Sequence, residues 1–181
     1  MHTTTHLAAR AMEGGLPAAR VAHAALFERI CARIQRYFLR MLRDPDAAAD
    51  CLQRTLVLLE QSLRSGAYEP DRSFNTWMWL KARTVFAQHC RERERRPDPL
   101  EHEPPAPGDP ARGVEERLDA DTVLAEVRRR LGEEAYEAFV LYYEGGLTQA
   151  EVAAALERDR KTVRQRIQEA HTLIDSLLGR A

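Results

Sequence analysis

Three cysteines in 181 residues leave little room for a disulfide framework. Cys31, Cys51 and Cys90 are odd in number and far apart, and they read as buried or half-buried thiols. His89 beside Cys90 is no metal pair, because adjacent helical residues point in different directions and the spacing offers no further ligand. Glycine and proline, nine of each, are sparse outside one segment, so the main breakers of regular structure are missing. Alanine, leucine, arginine and glutamate are frequent, and an all-α fold is the expectation. No apolar run is long enough to span a bilayer, and Met1 to Leu16 lacks the apolar stretch of a signal peptide, which predicts a cytoplasmic protein. A net charge is also lacking: 27 basic and 28 acidic residues leave a formal charge of −1. That balance conceals acids crowding the middle of the chain and arginines crowding particular helices. Finally, there is no phosphate-binding glycine loop, metal-ligand spacing or nucleophile motif, so an enzyme is the least supported class and no cofactor or metal is implied.

What is present is helical periodicity. Phe27, Ile30, Ile34, Tyr37, Phe38 and Met41 recur at steps of three and four and predict an amphipathic helix from about Ala18 to Leu42. Asp44 as N-cap and Pro45 at the first helical position restart the chain in a helix to about Arg64, with Leu52, Leu56, Leu59 and Leu63 as its apolar stripe. Turn residues from Ser65 to Asp71 follow, and Ser73 can cap a third helix. Phe74, Trp77, Met78, Ala82, Val85 and Phe86 supply its buried face, which Trp79 and Tyr68 escape. The helix closes on a run of arginines and glutamates stopped by Pro97. Prolines and acids then dominate to about Gly113, the composition of a linker.

A second helical unit is expected from Val114, with one helix through Val123, Val127 and Leu131 and another through Tyr136, Phe139, Val140 and Tyr143. Gly145 and Gly146 break it. Thr148 with Glu151 three residues later is a capping-box pattern, opening a short helix to Leu156. After the turn Glu157, Arg158, Asp159, a longer helix turns Val163, Ile167, Ala170 and Ile174 inward. The predicted architecture is therefore two small helical domains, residues 18–97 and 114–179, joined by a flexible acidic linker, residues 98–113.

A short helix, a tight turn and a longer helix with a basic, amide-rich outer face form a helix-turn-helix, whose second helix enters the major groove. Arginine and lysine can pair with guanine edges or phosphates, and glutamine with adenine. Aromatics beside cations around Trp77 to Arg83 suit unstacked bases, though much of that stripe also has the spacing of a packed helix face.

These segments together resemble the sigma factors of bacterial RNA polymerase, in the short extracytoplasmic-function group. Leu42 to Leu59 is similar to the region-two helix that docks on the polymerase clamp, with Asp50 and Gln53 matching and Arg54 beside them. Phe74 to Pro97 looks like the following helix, and Tyr142 to Ala170 resembles region four. The resemblance implies binding of core RNA polymerase, promoter recognition and melting, and a partner anti-sigma factor. It implies that Tyr68, Asn75, Thr76, Trp79, Lys81, Arg83 and Arg91 read the melted promoter element. It also implies that Thr148, Arg160, Lys161 and Thr162, with Arg164, Gln165, Arg166 and Gln168, read the upstream duplex element. Several residues depart from the pattern: Ala49 and Arg54 stand where acids are usual, Thr84 and Gln88 where asparagine and aspartate are, and Glu157 where glycine is. Glu169 and His171 replace basic residues. Two other readings stand beside this one: a helix-turn-helix regulator that acts without polymerase, and a sigma-like decoy that does not initiate.

Overall fold

The computed structural model describes residues 3–13, 17–95 and 120–179. Those residues form seven helices and no strand: α1 (Thr4–Met12), α2 (Pro17–Leu42), α3 (Pro45–Arg64), α4 (Phe74–Arg95), α5 (Ala120–Tyr143), α6 (Gln149–Leu156) and α7 (Arg160–Leu177). The all-α expectation holds. The expected linker, the expected start of the second unit and the end of the expected third helix lie outside the described residues. No helix among the described residues is long and apolar enough to cross a membrane.

Helices α1 to α4 form one group. The predicted stripe of α2 is buried through Ile30, Ile34, Tyr37, Phe38 and Met41. It meets Ala48, Cys51, Leu59 and Leu63 of α3 and Phe74, Met78 and Ala82 of α4 in one apolar core. Removing these surfaces from water is the main driving force for the association. The α2–α3 corner follows the sequence: Asp44 accepts from the backbone N–H groups of Asp46 and Ala47, and Pro45 opens the helix. Arg43, immediately before, takes a left-handed φ of 55° to make the corner.

Helix α1 lies in a stretch where the sequence pattern predicts no element. It is capped by Thr3, whose hydroxyl accepts from the His6 amide at 3.2 Å, and it buries Leu7 and Ala8 against α2. At nine residues it is too short to be stable alone, so tertiary packing must hold it. Its Thr5 hydroxyl accepts from the Phe74 amide at 3.1 Å and so satisfies one open donor at the start of α4. Ser73 accepts from the Thr76 amide there, as its cap role requires.

Helices α5 to α7 form the second group, with Val127, Val140, Leu141, Val152, Val163, Ile167 and Ala170 in the core. The two helices expected before Gly145 are both present, as the two halves of α5. The break falls at Gly132, whose φ of 82° and ψ of 170° lie outside helical space and suit a residue without a Cβ.

Candidate nucleic-acid interface

The helix-turn-helix is built by its caps. Thr148 accepts from the Glu151 amide at 3.2 Å while the Glu151 carboxylate accepts from the Thr148 amide at 2.8 Å, the reciprocal box expected of this spacing. Glu157 takes φ 53° and ψ 43° at the C-terminal end of α6, the left-handed conformation that favours glycine. Asp159 then caps α7, its carboxylate accepting from the Thr162 hydroxyl and, at 2.8 Å, from the Thr162 amide, and these hydrogen bonds, the hydroxyl's first, hold Asp159 below its ordinary carboxylate pKa.

Three contacts engage residues expected to face DNA, and one of them, from Arg166, ties the long helix to α5. Arg166 forms an ion pair with Glu134 of α5, and this contact is the main cause that draws the Glu134 carboxyl below its usual range. Thr162 bonds the capping Asp159, and Gln165 donates to Glu169 at 2.8 Å. Thr148 is likewise engaged in its capping box. Arg160, Lys161, Arg164 and Gln168 are exposed. With Gln149, the first three line a shallow open concavity at the N-terminal end of α7. That surface combines positive charge with the helix end that favours anions.

The α4 surface is different. Tyr68 and Trp79 are expected to escape the packed face, and the structure reverses this: they are 1% and 0% exposed. Tyr68 packs its ring on Phe74 and Trp77 at centroid distances of 5.3 and 5.0 Å and donates its hydroxyl to the Arg72 carbonyl at 2.6 Å. Trp79 packs on Tyr37 and donates its indole N–H to the Gly145 carbonyl at 3.2 Å. The reason is tertiary: Tyr68 is covered within the first group by Phe74 and Trp77, and Trp79 lies between Tyr37 and the Gly145 turn of the second group. Trp77, expected in the core, is half-buried instead, and the Lys81 ammonium sits 5.4 Å from its ring centre.

The covering extends to other expected strand-reading residues. Arg83 donates to Glu137 of α5 at 2.8 Å and to the Ala155 carbonyl of α6. Thr76 donates its hydroxyl to Glu151 at 2.6 Å, and Ser73 adds a second hydroxyl at 3.2 Å. Burial would raise the Glu151 carboxyl, but these bonds and its capping bonds outweigh that and lower it. From α2, Tyr37 donates to Glu137 at 2.8 Å, Arg40 donates to Glu144 at 3.1 Å, and Arg33 donates to the Gly145 carbonyl. Burial is the largest cause raising the Tyr37 hydroxyl well above its ordinary pKa, so Tyr37 is a donor here. Sequence spacing reveals none of these pairs, which join positions far apart in the chain. Asn75 is half-buried with a buried side-chain oxygen that has no hydrogen-bond partner, and Arg91 is exposed at the far end of α4.

The third surface is on α3. Gln53 is exposed, and the Asp50 side chain is 61% exposed. Arg54 forms a two-point pair with Glu92 of α4 at 3.0 and 3.1 Å and lies 3.6 Å from Asp50. The expectation that His89 has no further ligand nearby is corrected, because donor atoms of Asp50, Cys51 and His89 lie within 4.8 Å of one another. They come from two helices, so spacing along one could not reveal them. Arg54 places a fixed positive charge beside Asp50, which opposes a divalent cation there, and burial pushes the Cys51 thiol up to about 11.

Comparison with known proteins agrees with this geometry. Residues 124–171 match the family described as sigma-70, region 4. No curated protein matches the sequence. Among solved structures, CnrH in complex with the cytosolic domain of CnrY is similar at a TM-score of 0.65 and 20% identity, covering 97% of each chain. The sigma factor RpoE of Bartonella quintana, in complex with the anti-sigma factor NepR, is similar at a TM-score of 0.63 and 17% identity, covering 84% of this chain and 94% of that one. Residues 124–171 are therefore similar to region 4 of the sigma-70 family, and the chain shares its helical fold with a solved sigma factor.

Proposed function

We propose that the protein is a sigma factor of the extracytoplasmic-function type, which binds core RNA polymerase and directs it to promoters. The single observation that carries this reading is the region 4 helix-turn-helix with its exposed basic end, set on a chain whose remaining helices share the sigma-factor fold. In this reading Arg160, Lys161, Arg164 and Gln168 face the upstream duplex element, where lysine and arginine supply most of the affinity by neutralising phosphates. Gln165 and Arg166 contribute after exchanging their present partners.

The exposed Asp50 and Gln53 of α3 form the polymerase contact, a charged surface suited to steering and register. Tyr68, Asn75, Thr76, Trp79, Lys81, Arg83 and Arg91 lie on or next to α4, the element assigned to the melted strand. No covalent chemistry is needed. The solved RpoE is bound to an anti-sigma factor, and a partner of that kind is proposed here by the same likeness.

The test is binding to core RNA polymerase by fluorescence anisotropy, with Asp50→Ala/Gln53→Ala beside the wild type. Near-stoichiometric binding that the double substitution weakens by at least tenfold, about 1.4 kcal/mol, is the expected result. No binding by a folded wild-type protein would overturn the reading.

One observation favours a second reading, a decoy that occupies polymerase or a regulator without initiating. Arg54, in place of the acid usual in the family, is tied to Glu92 beside the proposed polymerase contact. Transcription in vitro from pre-melted and from closed templates separates the two, because a decoy supports neither.

A further inference from the structure

The polar contacts between the two helical groups share a chemical direction, apart from a 3.4 Å bond that the Tyr136 hydroxyl donates to the Arg40 carbonyl. Cations and hydroxyls come from α2, α4 and the turn before α4, and anions and carbonyls come from α5, α6 and the turn between them. Arg40 meets Glu144, Arg83 meets Glu137, and Thr76 with Ser73 meets Glu151. Arg33 and the Trp79 indole share the Gly145 carbonyl. The Gly145 and Gly146 turn that presents this carbonyl is tightly fixed. A Cβ on Gly145 would collide with the Leu141 carbonyl, and Gly146 has a φ of 60°.

A DNA strand offers the same chemistry to α4, a row of anionic oxygens for arginine and hydroxyl donors and a flat partner for an indole. Resting on the sigma-factor reading, we propose that Glu137, Glu144 and Glu151 act as an internal substitute for DNA. They hold the α4 face occupied until the two helical groups part.

Two details mark the contact as releasable. Its ion pairs and polar hydrogen bonds lie beside an apolar part around Trp79 and Tyr37, and they can be exchanged for water or for another anion without loss of partners. Glu144 also keeps its second carboxylate oxygen buried with no hydrogen-bond partner, so the closed form leaves an acceptor unsatisfied that water would satisfy on opening. Glu151 joins the cover to the helix-turn-helix itself. One of its oxygens completes the capping box of α6, and the other receives Thr76 and Ser73. The open basic end of α7 and the covered face of α4 are therefore tied through one carboxylate.

The experiment compares the full chain with Glu137→Gln/Glu144→Gln and with a charge-matched control, Glu13→Gln/Glu28→Gln, whose sites are exposed and outside the contact. Binding of a short fluorescein-labelled single-stranded DNA of mixed sequence is measured by anisotropy. Small-angle X-ray scattering of the same samples reports whether the groups separate. Release of a closed form that dominates by about ten to one predicts roughly tenfold tighter strand binding than the control, together with a larger radius of gyration.

Equal strand affinity in the double variant and the control would overturn the proposal, whatever the radius. If circular dichroism shows the double variant unfolded, Glu144→Gln alone and a salt series on the wild type replace it. Expansion with salt is then expected, and an unchanged radius in both contradicts the cover. Binding to core polymerase, measured separately, tells failure of the sigma-factor reading from failure of the cover. A chain that opens and takes up the strand yet never binds polymerase keeps the cover and loses the reading.

Discussion

The two surfaces proposed to meet DNA are built from similar residues and left in opposite states. At the N-terminal end of α7, Arg160, Lys161 and Arg164 stand exposed around an open concavity. On α4, Arg83 and Thr76 are bonded to carboxylates of the other helical group, and Trp79 is fully buried. Composition alone does not separate them. What differs is the opposing surface: α7 presents its outer face to solvent, whereas α4 faces Glu137, Glu151 and the Gly145 carbonyl. An arginine or tryptophan in a DNA-binding pattern thus names a capacity, and tertiary packing decides whether it is exposed.

This contrast can be broken most severely at Trp79. Replacement by alanine should lower unfolding stability by about 3–5 kcal/mol, as for a large buried ring, whereas Lys81→Ala should stay within about 0.5 kcal/mol. Urea denaturation of both variants checks this, and a small effect for Trp79 would place it at the surface as a base-reading side chain.

A smaller effect is expected on the open side. Arg164→Ala/Gln165→Ala should leave stability within about 0.5 kcal/mol and weaken binding to an upstream-element duplex by about 1–3 kcal/mol for each base edge that is no longer read. Anisotropy on matched and scrambled duplexes gives the answer. Equal weakening on both would mean that these side chains touch phosphate without reading sequence.

The smallest effect sharpens the turn that orients α7. Glu157 holds a left-handed conformation, and Glu157→Gly should raise stability by up to about 1 kcal/mol with duplex affinity unchanged. Thermal unfolding measures it, and a loss of stability would show that the side chain contributes more than its strain.

Local signals in the sequence carried much of the fold. Asp44 with Pro45 and Thr148 with Glu151 marked helix starts that the structure places there, and most of the α2 stripe is buried, whereas of the α3 stripe Leu59 and Leu63 are buried and Leu52 and Leu56 are half-buried. Glu157 is left-handed, as its place in the turn suggests. Helix α1 was not legible because nine residues with two buried side chains give little periodic signal. The break between Leu131 and Tyr136 was legible from the two separate apolar stripes, and the structure places it at Gly132.

The site was less legible than the fold. Tyr68 and Trp79 were misplaced because period and spacing describe one helix, and their burial is set by contacts beyond it. The Arg83–Glu137 and Thr76–Glu151 pairs join residues 54 and 75 positions apart. No local rule connects them.

The most direct test of the covered α4 face uses its own indole. The chain has two tryptophans, so Trp77→Phe leaves Trp79 as the only one. Iodide quenching of its fluorescence should be weak in the Trp77→Phe protein and should rise strongly when Glu137→Gln/Glu144→Gln is added. Ready quenching before those substitutions would contradict the account, because it would show the α4 face already open in the free protein.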